Sequence, residues 1–258
     1  MSRLLALLYG AVCYTVFLLT FLYAIGFVSG FGVPRTIDSG LSAPAATALV
    51  IDLLLLGLFA VQHSSMARPA FKRWWTRYVP APVERSTYVL FSSLVLILLF
   101  WQWRTLPLPV WHVDNEPARW ALYALAAFGW LLVLSSTFLI NHFDLFGMRQ
   151  VWLYLIGRPY TTLKFGTPGP YRLVRHPLYV GWLFAFWMTP VMTFAHLLFS
   201  VATTAYILLA IQLEERDLVR EHGESYEEYR RSVPMLIPAV RKPQPQIKRK
   251  QSVYSADN

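Results

Sequence analysis

The sequence predicts an all-α, polytopic membrane protein, and composition is the first reason. Of the 258 residues, 56% are apolar and only 14% are charged, whereas a soluble domain carries about 25% charged residues. The mean hydropathy is +0.42, and long apolar runs alternate with short basic segments. These features exclude a disordered chain, a coiled coil and an ordinary cytosolic domain. The single cysteine, Cys13, excludes a disulfide scaffold and a cysteine-based zinc site.

The apolar runs predict about six membrane spans. A spanning helix needs about 20 mostly apolar residues, and four runs meet this condition, at residues 4–28, 45–63, 88–103 and 120–140. The first run is too long for the core of a signal peptide, so we expect it to remain as an anchor. Residues 178–213 would reach about 54 Å as one helix. Because Pro190 interrupts them, we predict a hairpin of two spans.

Basic residues predict the orientation of these spans. They concentrate in segments 64–86 and 141–177 and after residue 213, while segments 30–44 and 104–119 carry few. With six spans, the basic segments share one side, so both termini are predicted to be cytoplasmic, most simply at a bacterial inner membrane. This distribution argues against nucleic-acid binding. Residues 1–240 are predicted to form a single membrane domain, and the basic, proline-broken tail 241–258 is predicted to be disordered.

Polar residues gather at the predicted cytoplasmic ends of four spans. Because these ends lie at one depth, together they predict a functional site more strongly than any one alone. Each has a structural alternative: histidines wetted by headgroups, an arginine extended to the interface, or a solvated helix face. The segments are Gln62-His63-Ser64-Ser65, Asn141-His142-Phe143-Asp144, Arg175-His176-Pro177-Leu178-Tyr179, and Gln212 with Glu214, Glu215, Arg216 and Asp217.

Asp52 stands alone within an apolar run. An intramembrane carboxylate is a functional candidate by default. A neutral carboxyl group that bonds a neighbouring hydroxyl is the structural alternative, and the sequence favours it.

The segment before the fifth span has the features of a helix start. Residues 166–170 form a turn-prone run of glycine and proline, and Pro177 suits the first turn of a helix. The free N–H groups of that turn could hold a carboxylate, and Gly181 would permit a close approach. An ordinary connection between loop and helix is the alternative. Downstream, the apolar strip at residues 229–238 is predicted to fold back as a lid.

Motifs in the C-terminal half resemble the isoprenylcysteine carboxyl methyltransferase superfamily. The match covers about residues 166–240. The matching elements, in order, are Gly169-Pro170-Tyr171, Arg175-His176-Pro177-Leu178-Tyr179-Val180-Gly181, Glu214-Glu215-Arg216, Gly223-Glu224-Ser225-Tyr226-Glu227-Glu228-Tyr229 and Val233-Pro234. The resemblance implies an integral-membrane methyltransferase that uses S-adenosylmethionine. It also implies a cofactor pocket between the last spans and the cytoplasmic C-terminal segment.

Motifs in the N-terminal half narrow the resemblance to a smaller group of membrane proteins. Residues 62–72 and 141–152 are similar to the membrane methanethiol S-methyltransferases and to the neighbouring NnrU-like proteins. The former convert methanethiol to dimethyl sulfide, which is the activity that the resemblance implies here. Two alternatives stay open: methylation of another acceptor (a prenylcysteine carboxylate, another thiol or a lipid), and a non-enzymatic haem- or ion-handling protein, because three histidines are expected at one depth.

The resemblance also implies roles for individual residues. Those expected to hold the cofactor are Tyr171, Arg175, His176, Pro177, Tyr179, Gly181, Glu214, Glu215, Tyr226 and Tyr229. Because a thiol reacts as its thiolate, a base is required. We hypothesise that His142 or His63 is the base, with Asp144 orienting it and Asn141 beside it; proton loss to water is the alternative.

A small thiol suits a closed apolar pocket, for which Phe143, Phe146 and Trp152 are the candidates. The expected partners are therefore this thiol and the lipid bilayer. We predict no metal site, since the potential ligands lack compact spacing. No nucleic acid or protein partner is predicted.

Overall fold

A computed structural model describes residues 1–163 and 165–238. Within these ranges the chain forms a helical bundle with one small sheet. The helices are α1 Arg3–Ser29, α2 Ala45–Ala67, α3 Pro69–Trp75, α4 Ala81–Gln102, α5 Glu116–Ile140, α6 His142–Leu145, α7 Met148–Leu155, α8 Pro177–Trp187, α9 Phe194–His222 and α10 Glu224–Ser232. A 3-10 helix spans Gly169–Arg172, and the strands are β1 Pro109–His112 and β2 Val191–Thr193.

Five of these helices, α1, α2, α4, α5 and α9, are long and apolar enough to cross a membrane. The chain is therefore an integral, polytopic, essentially all-α membrane protein, as the sequence predicts. At three helix starts a side-chain oxygen accepts a hydrogen bond from a backbone N–H group: Ser2 before α1, Asn115 before α5 and Thr193 before α9. These caps satisfy backbone donors that the helices cannot satisfy internally.

The predicted break in the last apolar run occurs at residues 188–193. Here β2 pairs antiparallel with β1, and the Thr193 hydroxyl donates a hydrogen bond to Asp38. The sequence did not predict this sheet, because strands of four and three residues are too short to show an alternating pattern. The sheet fixes the end of the bundle opposite the polar helix ends.

Helix α8 is short and is held at both of its ends. Its start is held by backbone hydrogen bonds from Arg175 and His176 to Pro234 and Met235, and β2 follows its end. With 11 residues, α8 is only about 16 Å long, shorter than a normal span. The six-span count and the orientation therefore stay predictions, and the tail 241–258 lies outside the described residues.

Close packing of α8 on α5 explains Gly181. A Cβ atom at this position would lie 2.8 Å from the Gly129 carbonyl oxygen and 2.8 Å from the Val133 nitrogen. The close approach expected at Gly181 is thus made by the α5 backbone. Because glycine has no side chain, α5 and α8 can pack closely at this position. The resemblance implies a different role for Gly181, a contact with the cofactor.

Substitution of Gly181 by alanine should therefore destabilise the bundle. We expect a cost of about 1–3 kcal/mol, because the backbones of α5 and α8 must separate. Gly57→Ala is a matched control, since a Cβ there meets nothing within 4 Å and alanine favours the helix by about 1 kcal/mol. Melting temperatures of both variants in detergent test this, and equal temperatures would contradict the packing role.

Candidate functional site

A buried ion pair joins the start of α8 to α9. The Glu215 carboxylate accepts a hydrogen bond from Arg175 Nε at 2.7 Å and one from His176 Nε2 at 3.0 Å. Glu215 is only 6% exposed, so its charge requires these partners. The pair aligns two helices whose sequence positions are about 40 residues apart.

The C-terminal segment is fastened to the same arginine. Arg175 Nη1 donates to the carbonyl oxygens of Arg230 and Val233, at 2.9 and 2.6 Å. The backbone N–H groups of Arg175 and His176 donate to Pro234 and Met235. The strip predicted as a lid therefore folds back and covers the start of α8.

Glu214, beside the buried pair, lies in a different environment. Its Oε2 accepts a hydrogen bond from the Tyr179 hydroxyl at 3.0 Å, and His176 Nδ1 lies 3.9 Å away. The Glu214 side chain is 44% exposed, so it retains room for further hydrogen bonds. Glu215 thus holds the fold together, while Glu214 can accept donors from a ligand.

Three tyrosines surround these acids. The Tyr229 hydroxyl donates to the Tyr171 carbonyl oxygen at 2.6 Å, and Tyr226 is 2% exposed with a hydroxyl that bonds no other described residue. Burial, followed by the nearby Glu214, raises the pKa of Tyr171, and burial, followed by the nearby Glu215, raises the pKa of Tyr226. Both hydroxyls therefore remain protonated donors. Phe165 packs against Tyr226 and Tyr229.

A second group of polar residues comes from α2, α4 and α9. The Tyr88 hydroxyl lies 3.0 Å from both ring nitrogens of His63, and Ser92 Oγ lies 3.3 Å from its Nδ1. Ser64 is hydrogen-bonded to the Tyr206 hydroxyl at 3.0 Å. The hydroxyl of Tyr179 lies within electrostatic range of Tyr206 and Tyr88, so this group adjoins Glu214.

Sequence reasoning missed Tyr88, Ser92 and Tyr206. Helical spacing could have found Tyr206, since it precedes Glu214 by two turns and shares its face of α9. Tyr88 and Ser92 are four residues apart and share a face in the same way. Arg68, between α2 and α3, pairs with Asp217 on α9 at 2.8 Å, which closes this side of the site.

His142 lies nearby, in a box of aromatic rings. Thr137 Oγ1, which donates its proton to the Leu134 carbonyl, accepts from His142 Nδ1 at 2.8 Å. Nε2 must then accept from the Tyr14 hydroxyl, also at 2.8 Å. The ring stacks on Phe138 and is 4% exposed. Burial lowers the pKa of His142, so it is neutral at pH 7.

Asp144 does not orient His142, contrary to the expectation from sequence. Its carboxylate accepts from Arg149 Nη1 at 2.9 Å and from the Tyr160 hydroxyl at 3.2 Å. Asn141 caps the short helix α6 by accepting from the Asp144 N–H. The imidazole is held from α1 and α5 instead, because Thr137 and Tyr14 occupy both nitrogens.

The aromatic residues proposed for an acceptor pocket do not enclose one. Trp152 is 53% exposed and Phe143 is 52% exposed, while Phe146 stacks on Phe17 with ring centroids 3.8 Å apart. Phe146 also touches the His142 ring, so this end of α5 borders the site without opening into a cavity.

Pro177 and Asp52 have structural explanations. Pro177 occupies the first turn of α8 and is buried, as the sequence predicts. Asp52 is buried in α2, and its Oδ1 accepts from the Arg104 backbone N–H at 2.9 Å. This bond fixes the end of α4, far along α2 from His63.

The residues around Glu214 suit S-adenosylmethionine. An accessible carboxylate can bind the ammonium group or the ribose hydroxyls. The buried, unpartnered Tyr226 hydroxyl can donate or accept, and the rings of Phe165, Tyr226 and Tyr229 offer faces for a base or a cation. Among the described residues, no group of three or more His, Cys, Asp or Glu side chains could hold a metal ion.

Comparison with curated proteins identifies the family. A methanethiol S-methyltransferase of Crocosphaera subtropica is 60% identical over 242 residues, which cover 94% of this chain and 95% of that protein. The chain belongs to the methanethiol S-methyltransferase family. A family member from Mycobacterium tuberculosis is 56% identical over 92% of this chain and 98% of its own length.

A more distant relative lies outside the family. Nurim of Mus musculus is 36% identical over 179 residues, covering 66% of this chain and 68% of that protein. Neither a family model nor a solved structure matches the chain.

The two adjacent glutamates should respond differently to the same change. Glu215→Gln removes the charge that Arg175 and His176 require, so we expect a loss of about 3–5 kcal/mol of stability. Glu214→Gln should leave the melting temperature nearly unchanged and weaken S-adenosylmethionine binding about tenfold. Differential scanning fluorimetry and binding of labelled cofactor measure the two effects. If both variants lost stability equally, the division of roles would be wrong.

Proposed function

We propose that this protein transfers a methyl group from S-adenosylmethionine to methanethiol, forming dimethyl sulfide. Family membership over more than nine-tenths of the chain carries the proposal. The site adds support, because an accessible carboxylate, aromatic rings and a histidine from four helices lie together at one end of the bundle. This combination suits a cationic donor and a thiol acceptor.

In this proposal the cofactor lies against the start of α8, under the C-terminal segment. Glu214 binds its polar hydroxyl or ammonium groups, Tyr179 orients Glu214, and Tyr226 and Tyr229 line the slot for the base. Arg175, His176 and Glu215 hold these elements in place. Bound S-adenosylmethionine supplies a methyl group on a sulfonium, which needs no further activation.

The protein must remove the proton of the thiol. We assign this step to His63, because Tyr88 orients its ring and the residue is only half-buried. His142 is only 4% exposed and is held by Tyr14 and Thr137, so His142 positions α1 and α5. A neutral imidazole in this environment accepts the proton and leaves a poorly hydrated thiolate.

The acceptor pocket lies beside His63. Phe59 stacks on the His63 ring with centroids 5.1 Å apart and meets Tyr206 edge-on at 6.2 Å. Aromatic rings bind sulfur favourably, so in this proposal the rings of Phe59, Tyr88 and Tyr206 contact the sulfur of the thiol.

The position of the N-terminus supports the proposed orientation in the membrane. The Met1 carbonyl accepts from Tyr154, so the N-terminus lies at the end that carries the site and the C-terminal segment. Because the basic segments gather there, the site faces the cytoplasm of a bacterial inner membrane, with six crossings.

Membranes that contain the protein should convert methanethiol and methyl-labelled S-adenosylmethionine into labelled dimethyl sulfide. Membranes that lack the protein provide the background. A panel of larger thiols, a prenylcysteine and a lipid acceptor tests the size of the pocket. If labelled product formed from another acceptor and not from methanethiol, the proposed substrate would be wrong.

Removing each histidine separately should distinguish their roles. His63→Gln should reduce kcat by about 10²-fold or more with unchanged cofactor binding, and the acidic limb of the pH–rate profile should disappear. His142→Gln should lower the melting temperature and leave kcat within a few-fold. Full turnover by His63→Gln would show that water takes the proton, and loss of turnover only in His142→Gln would reverse the assignment.

A further inference from the structure

A cavity lies at the start of α4. The residues that form it have no role in the proposed methyl transfer. Its volume is about 460 Å³. Its charged and polar lining comes from α3, α4, α6 and α7 and the segment after α7: Lys72, Glu84, Arg85, Asp144, Gln150 and Arg158. The cavity therefore has polar walls at the end of the bundle where α4 begins and α5 ends.

Two buried acceptors in this cavity lack donors. Glu84 is 9% exposed, and its Oε1 has no hydrogen-bond partner among the described residues. The same holds for Gln150 Oε1, whose Nε2 is occupied by the Asp144 carbonyl. Burying such acceptors without donors is unfavourable, so a ligand with N–H or O–H groups would relieve this cost.

Two cations of this cavity, Lys72 and Arg158, form no ion pair with a described residue. Within the described ranges, Lys72 Nζ makes no hydrogen bond or ion pair, and burial, followed by the nearby Arg85, lowers its pKa. Arg158 is exposed at the rim. The Asp144 carboxylate bonds Arg149 and Tyr160 and forms no ion pair with Lys72 or Arg158. A ligand that carries a phosphate would supply the missing charge.

We propose that this cavity binds an aminoethyl phosphate, the headgroup of phosphatidylethanolamine. Its ammonium donates to Glu84 and Gln150, and its phosphate binds Lys72 and Arg158. The location favours a lipid, because the helices that line the cavity also carry exposed Trp74 and Trp152, residues typical of the headgroup region. Three N–H donors distinguish this headgroup from a quaternary ammonium, which has none.

Lipid retention in nanodiscs tests the proposal. The protein is reconstituted in phosphatidylcholine with minor fractions of phosphatidylethanolamine and phosphatidylglycerol, and the retained lipid is measured by mass spectrometry. We expect phosphatidylethanolamine to be enriched about tenfold over phosphatidylcholine. Equal retention of phosphatidylcholine would overturn the proposal, and equal retention of phosphatidylglycerol would overturn the assignment of the ammonium to Glu84.

Variants identify the two contacts. Glu84→Gln should abolish the preference for phosphatidylethanolamine over phosphatidylcholine, and Lys72→Gln should reduce retention of all three lipids. Arg77→Gln is the control, since Arg77 is exposed beyond the cavity. Unchanged enrichment in both variants would contradict the site.

Wild-type protein provides a test that does not depend on the folding of a variant. Retention should fall stepwise as methyl groups are added to the ethanolamine nitrogen, and a flat series would overturn the proposal. Free phosphoethanolamine distinguishes the source of the ligand. If it raises the melting temperature of the wild-type protein as much as the lipid does, and leaves that of Glu84→Gln unchanged, the cavity recognises the same headgroup chemistry in a soluble molecule.

Discussion

The buried carboxylate of Glu215 is the constraint on which the site depends. Its Oε1 accepts hydrogen bonds from both Arg175 and His176. Arg175 also donates to the carbonyl oxygens of the C-terminal segment. A single acid therefore positions the start of α8, the end of α9 and the covering strip. Because an unpaired buried charge is strongly unfavourable, these elements must adopt one arrangement relative to each other.

The neighbouring residue shows why adjacent identical side chains can serve different purposes. On a helix, successive residues point about 100° apart, so Glu214 faces Tyr179 and open space while Glu215 faces the interior. The fold fixes Glu215 by surrounding it and leaves Glu214 able to bind a ligand. A comparable division separates His142, which is 4% exposed, from half-buried His63.

Polar groups at the ends of different helices lie together at one end of the bundle, and the site forms there. The β1–β2 sheet closes the opposite end and fixes the break between α8 and α9. Rigid packing at Gly129 and Gly181 keeps α8 against α5, so the start of α8 has a defined place.

The sequence by itself determined the membrane class, the long helices and the four polar helix ends, because apolar runs and their polar boundaries are local properties. Through resemblance it also singled out Arg175 and Glu215, but as cofactor contacts, whereas the structure shows them bonded to each other. Only the tertiary structure decided which residues meet: Thr137 and Tyr14 with His142, Arg149 with Asp144, Tyr88 with His63, and α5 with Gly181. These contacts join positions far apart in the chain or depend on side-chain direction, and neither periodicity nor composition encodes them.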